Sequence, residues 1–313
     1  MGPIQTQRFR VLADFGPHGS SSDAEVLARR IREFRPHIFV PELAFMNKDE
    51  KRSYITSLND RVERSRRSAR KRRQFIGKLA SESGFPCFGR FGAGQFDAVI
   101  SEPGLRVFPV EFIPAEESSS ALFGLAWALP GLSHPVHLLS EGRVEEALEA
   151  AASGYESFGK EYILSRNWLA AEGFSRLCLD VPEFFPELSA LDEIRVLARY
   201  GQSHMGLADD LRSIGFMVEV PRDLPEPDFC CEVFLKMGKE PGYSISREDS
   251  ARILFQLAFD SAFSGEAWDD GTSTRRLRMA FSSLGGEEGF LELASASSGD
   301  AFMERLRERL SRF

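Results

Sequence analysis

Short apolar runs separated by stretches of helical spacing set the organisation of the first half of the chain. Residues 8–15 (RFRVLADF) form such a run and close on Gly16-Pro17-His18-Gly19, the pattern of a strand entering a loop. Ser20 to Asp23 then offer an N-cap, and Val26, Leu27, Arg30, Ile31 and Phe34 recur at helical spacing until Pro36 stops the helix. A second apolar run, HIFVPEL, spans residues 37–43. Strand, helix and strand in this order compose a βαβ unit, which predicts parallel strands joined by a right-handed crossover.

The pattern then changes. Residues 48–83 are polar and Arg-rich, which predicts one or two long exposed helices ending at Gly84 and Pro86. Residues 87–105 contain four glycines and little periodicity, as a loop or irregular hairpin would. RVFPVEFIP, residues 106–114, is a third strand candidate, with Pro109 pointing to an edge or a bulge. Helices are expected over 118–129, 141–153 and 155–177, before a proline-marked stretch from Pro182 to Pro186. EIRVLARYG (193–201), a short helix over 205–214 and FMVEV (216–220) make a second βαβ signature. Beyond Pro221, helices are expected over 247–263, 274–283 and 300–312. The fold class is therefore α/β, with a central, mainly parallel sheet flanked by helices. Residues 1–222 are expected to form that domain, with an Arg-rich helical insertion at about 48–83, and 223–313 a helical C-terminal extension.

Composition adds limits. With 313 residues, 42% hydrophobic and 27% charged, the chain can bury a sizeable core. No apolar stretch approaches the roughly 18 residues of a membrane helix, and the N-terminus lacks a secretory h-region. Gly2 and Thr6 fit a myristoylation pattern too short to outweigh chance. Cys87, Cys178, Cys230 and Cys231 show neither C-x-x-C nor zinc-ribbon spacing, so they read as reduced thiols in a cytoplasmic protein.

The net charge of −8 is unevenly placed. Residues 48–73 carry eleven Lys/Arg against four acids, a local +7 that leaves −15 on the rest. An acidic chain with one basic block is a poor general nucleic-acid binder, yet residues 61–73 suit an anionic ligand or a protein partner. Arg66, Arg70 and Arg73 fall on one helical stripe and Arg64, Arg67 and Lys71 on the next. That distribution predicts an arm with little apolar face, projecting from the body.

Chemistry concentrates at strand ends. His18 follows the first strand, Glu42 ends the second, Glu111 lies within the third, and His204 follows the late one. In an open parallel sheet the carboxyl ends line the ligand crevice, so these four residues are expected to converge. His18 equally suits a simple turn. Glu42 and Glu111 interrupt apolar runs, where an unpaired carboxylate costs several kcal/mol, so each needs a partner. That partner is a structural arginine such as Arg166 or Arg199, or else substrate or metal. His134 and His137 read as surface residues of a proline-containing loop, and no Gly-x-Ser-x-Gly elbow or P-loop is present.

These motifs together resemble the erythromycin esterase, ChaN-like and Tiki/TraB superfamily. The resemblance covers about residues 8–222. It rests on the strand with its Gly/His turn, the strand ending in Glu42, the strand containing Glu111, Arg166-Asn167, and the exit Gly201-Gln202-Ser203-His204. It implies an ester or amide hydrolase in which His18, Glu42, Glu111, Arg166 and His204 are the functional positions. A histidine would activate water, a glutamate would orient it or hold a divalent metal, and Arg166 would stabilise the developing oxyanion. His18, Glu42, Glu111 and His204 would be the metal ligands, and a small molecule or peptide the substrate. Phe15, Gly16 and Pro17 stand where many members carry a glutamate just before the first histidine, and Asp14 could replace it only if the loop folds back. The departure favours a rival reading, a non-catalytic binding module with a degenerate crevice and a basic docking arm.

Overall fold

The computed structural model describes residues 8–16, 21–42, 46–82, 86–113, 134–263, 270–296 and 300–311. In chain order its elements begin with β1 (Phe9–Gly16), α1 (Ser21–Phe34), β2 (Ile38–Pro41), β3 (Met46–Asn47), α2 (Lys51–Arg66), α3 (Ala69–Glu82) and α4 (Pro86–Ser101). Next come β4 (Arg106–Val107), β5 (Phe112–Ile113), α5 (His134–Ser140), α6 (Val144–Phe158) and a π-helical turn (Gly159–Leu164). After these stand α7 (Ser165–Ser175), α8 (Leu177–Phe184), β6 (Ile194–Gly201), α9 (Leu207–Ser213) and β7 (Met217–Glu219). The chain closes with α10 (Phe229–Lys239), α11 (Arg247–Ala262), α12 (Asp270–Ser283), α13 (Gly286–Ser295) and α14 (Asp300–Leu310).

Five strands form an all-parallel sheet in the order β4-β2-β6-β1-β7. Its two long members pair over their full length, from Phe9 opposite Ile194 to Gly16 opposite Gly201. Both faces are covered, which is why these strands read as near-continuous apolar runs. Phe9, Val11, Ala13 and Phe15 join Ile194, Val196, Ala198 and Tyr200 in one core, with Phe174 and Leu177 from the α7–α8 region and Leu207 and Leu211 from α9. Leu12, Phe39 and Leu197 face the other core, beneath Leu27 and Ile31 of α1 and residues of α2, α3 and α4. The strand-by-strand alternation assigns α1 to one face and α9 to the opposite face.

Three local expectations are corrected. Residues 87–105 contain a helix, α4, rather than a loop or hairpin. Pro86 occupies its first position, and Phe96, Val99 and Ile100 bury a stripe that the glycines obscure in the sequence. The third strand is split. Arg106–Val107 pairs with β2 and Phe108 still donates to the Phe39 carbonyl, but Pro109 has no N–H to continue the ladder. Phe112–Ile113 then pairs in parallel with β3 in a separate two-stranded sheet. The Arg-rich segment forms two helices, as expected, but not a projecting arm. Ile55, Leu58, Val62 and Phe75 are buried, because apolar residues recur at spacings of three and four between the charges.

The chain divides into two compact units, residues 1–119 with 166–224, and residues 120–165 with 225–313. The second unit therefore takes in 120–165, which the sequence pattern places in the α/β domain. Ala147, Leu148, Ala151 and Tyr155 of α6 share one core with Phe234 of α10 and Leu254, Phe255 and Ala258 of α11. That grouping depends on non-local contacts invisible to periodicity. The helix expected over 118–129 lies outside the described residues. His134 and His137 are exposed, as expected, though on the helix α5 rather than in a loop. Among the described residues, Cys178, Cys230 and Cys231 form no disulfide, and no described helix is long and apolar enough to cross a membrane.

Candidate functional site

The chain leaves β1 towards α1 on one face of the sheet and leaves β6 towards α9 on the other, although the two strands are neighbours. In open parallel sheets such a point of divergence is where ligand crevices form. Four of the five residues singled out by the sequence meet beside it. Glu42 directly follows β2; its N–H donates to the Arg199 carbonyl (3.0 Å) and its Oε2 accepts from the Gly201 N–H (2.6 Å). The end of β2 is thereby tied to the end of β6.

Arg166 is the hub. Its Nε and Nη2 donate to the two oxygens of Glu111 (2.8 and 3.0 Å), a bidentate fork, and its Nη1 donates to Glu42 Oε1 (2.8 Å). His204, in the 3-10 turn after β6, places Nε2 3.1 Å from Arg166 Nη1 and 3.3 Å from Glu42 Oε1. All four side chains are at most 6% exposed. Both glutamates therefore have a partner, and it is Arg166. His18 lies outside the described residues; β1, which precedes it, ends at Gly16 in register with Gly201.

Arg199, the other arginine weighed as a partner, is engaged elsewhere. It pairs with Asp14, its register neighbour, on the face covered by α1, and Arg30 approaches the same carboxylate at 3.4 Å. Asp14 thus stands apart from the site and does not replace the glutamate missing before His18.

Two contributors lie outside the five positions expected from the sequence. Asn167 Oδ1 lies 2.7 Å from His204 Nδ1; an amide oxygen can only accept, so Nδ1 carries the proton and Nε2 faces Glu42 and Arg166. Tyr200, an apolar-face residue of β6, sets its ring edge-on to His204 with centroids 5.8 Å apart. Its buried hydroxyl makes no hydrogen bond of ordinary geometry, and burial, followed by the charge of Glu111, pushes it well above the usual phenol range. The adjacency of Asn167 to Arg166 is a usable signal, since two polar residues opening a buried helical face need partners. Tyr200 gives none.

Gly173 positions this hub. A Cβ there would lie 2.2 Å from the Val110 carbonyl oxygen, so only glycine lets α7 approach the backbone immediately before Glu111. Gly173→Ala is expected to cost about 1–3 kcal/mol, read by urea unfolding, because backbone rather than a flexible side chain must yield.

Two carboxylates share one guanidinium, so excess negative charge is buried here. Burial raises the Glu111 pKa above the ordinary carboxylate range; Arg166 opposes the rise and Glu42 adds to it. The native state then holds this proton more tightly than the unfolded chain. The associated stability is fully present below the unfolded value of about 4.3 and is lost as pH rises through the native value. Glu111→Gln removes that loss. The difference in melting temperature, variant minus wild type, is expected to grow as pH rises across this window; a difference flat with pH would contradict it.

The described donors do not suit a divalent metal. The Arg166 guanidinium already fills the space between Glu42, Glu111 and His204, and a cation at His204 Nε2 would face it at about hydrogen-bond distance. Among the described residues, no three His, Cys, Asp or Glu side chains gather as a metal-binding group. Comparison of the chain with protein-family profiles, curated proteins and solved structures finds no match, so the superfamily resemblance rests on its motifs.

Proposed function

We propose that this chain is a hydrolase of an ester or amide bond that works without a metal, with His204 as general base. The observation that carries this reading is the orientation of the imidazole: Nδ1 donates to Asn167, and Nε2 is held 3.3 Å from Glu42 Oε1. A base positioned by a second group is the recurrent arrangement of acyl-transfer sites. In this mechanism Nε2 takes a proton from water and the resulting hydroxide attacks the carbonyl carbon. The imidazolium, stabilised by Glu42, returns the proton to the leaving group as the tetrahedral intermediate collapses. Arg166 holds both glutamates and supplies positive charge where the oxyanion develops. The superfamily resemblance assigns function to the same positions.

The test is turnover of a panel of fluorogenic esters and amides by the purified chain, before and after dialysis against a chelator. The expected result is hydrolysis of at least one member at a rate unchanged by metal removal. Loss of activity with the metal, restored by adding it back, would overturn the metal-free mechanism.

The rival reading, a non-catalytic binding module, is favoured by the near-complete burial of these side chains and by Arg166 engaging both oxygens of Glu111. It requires no turnover of any panel member.

A further inference from the structure

The helices α2 and α3 turn their apolar residues inward and leave a concentrated cationic surface outside. Arg61, Arg64, Arg67, Arg70, Lys71 and Arg73 are all exposed. None of the six makes an ion pair among the described residues, although the chain carries 47 acidic side chains. Their basic neighbours behave differently. Arg66 pairs with Glu63 and caps the Val99 and Leu105 carbonyls, Arg72 pairs with Asp97, and Arg52 pairs with Glu183. Glu63 is further engaged by Arg106. The paired arginines, buried or exposed, are therefore neutralised within the fold, and the six unpaired ones are left for an external anion.

We propose that this face docks the phosphate backbone of a nucleic-acid duplex. Five of the six cations are arginines, whose planar fork binds phosphate oxygens two at a time. A membrane surface is disfavoured because Val62, Phe75 and the other apolar residues of these helices are committed to the core, leaving no apolar face to insert. A single strand is disfavoured because, among the described residues, no exposed aromatic accompanies the cations to stack bases. The remaining charge of −15 does not abolish the local attraction, because charges more than about 10 Å away are screened at 0.1 M salt. The recognition is of backbone rather than of base sequence.

The experiment is fluorescence anisotropy of a labelled duplex about two helical turns long, titrated with the full chain between about 50 and 200 mM salt. It is repeated with the quadruple variant R64Q/R67Q/R70Q/R73Q, with the single strand, and with phosphatidylcholine–phosphatidylserine vesicles. Six phosphate contacts imply that wild-type affinity falls about 10³-fold over this salt range. The variant is expected to keep the wild-type melting curve, since these side chains contact no core. Its affinity at low salt is expected to fall at least about 100-fold, with a salt slope shallower by about 3 to 4. Absence of duplex binding by the folded wild-type chain would overturn the proposal. So would undiminished binding by the variant, or tighter binding to the single strand or the vesicles.

Discussion

Replacing Arg166 with methionine is expected to destabilise the α/β unit by about 3–5 kcal/mol, the usual cost of removing one partner from a buried ion pair. Arg166 is 3% exposed and is the shared cation of Glu42 and Glu111, so the variant leaves two carboxylates facing each other in a site from which water is largely excluded. At roughly 2–4 °C per kcal/mol for a domain of this size, the melting temperature should fall by about 10 °C. Adding E42Q and E111Q to R166M removes the stranded charges and should recover part of that loss, a non-additivity expected only among residues that touch. A methionine variant as stable as wild type would mean that the network contributes nothing to the fold.

His204→Gln is expected to lower turnover by about 10²–10⁴-fold, the usual contribution of a positioned general base. Glutamine keeps a donor for Asn167 but cannot take up a proton, so the loss falls on the chemical step rather than on folding. Asn167→Leu should act through the ring. With no acceptor at Nδ1, the tautomer that leaves Nε2 unprotonated beside Arg166 and Glu42 is no longer selected, and activity should fall while the pH–rate profile shifts. Asn167 is in this sense a positioning residue, and an unshifted profile with a simple drop in stability would assign it a structural role only.

The convergence of Glu42, Glu111, Arg166 and His204 was legible because a carboxylate inside an apolar run demands a partner, and parallel topology brings strand ends to one edge. The strands of the 8–43 and 193–220 stretches were legible for a related reason: a sheet covered on both faces writes itself as uninterrupted apolar residues. Helices dense in charge or glycine were not. In α2 and α3 the arginines mask apolar residues at 55, 58, 62 and 75, and in α4 the glycines conceal the stripe formed by Phe96, Val99 and Ile100. The contribution of Asn167 depends on a contact across 37 residues, and the allegiance of residues 120–165 on packing against helices beyond residue 225. Neither leaves a periodic trace.

The central claim, that these buried charges form a working site rather than structural ion pairs, is tested most directly by measuring turnover and thermal melting on the same samples of Glu42→Gln and wild type. Glutamine preserves the size of Glu42, and Gly201 N–H can still donate to the amide oxygen of the variant, so little packing is lost. That neutral amide cannot stabilise the imidazolium that forms at His204. Turnover is therefore expected to fall by at least about 100-fold, with the melting temperature within about 4 °C of wild type. A melting temperature lowered by about 10 °C with activity retained in the molecules that remain folded would identify Glu42 as half of a structural ion pair and contradict the account.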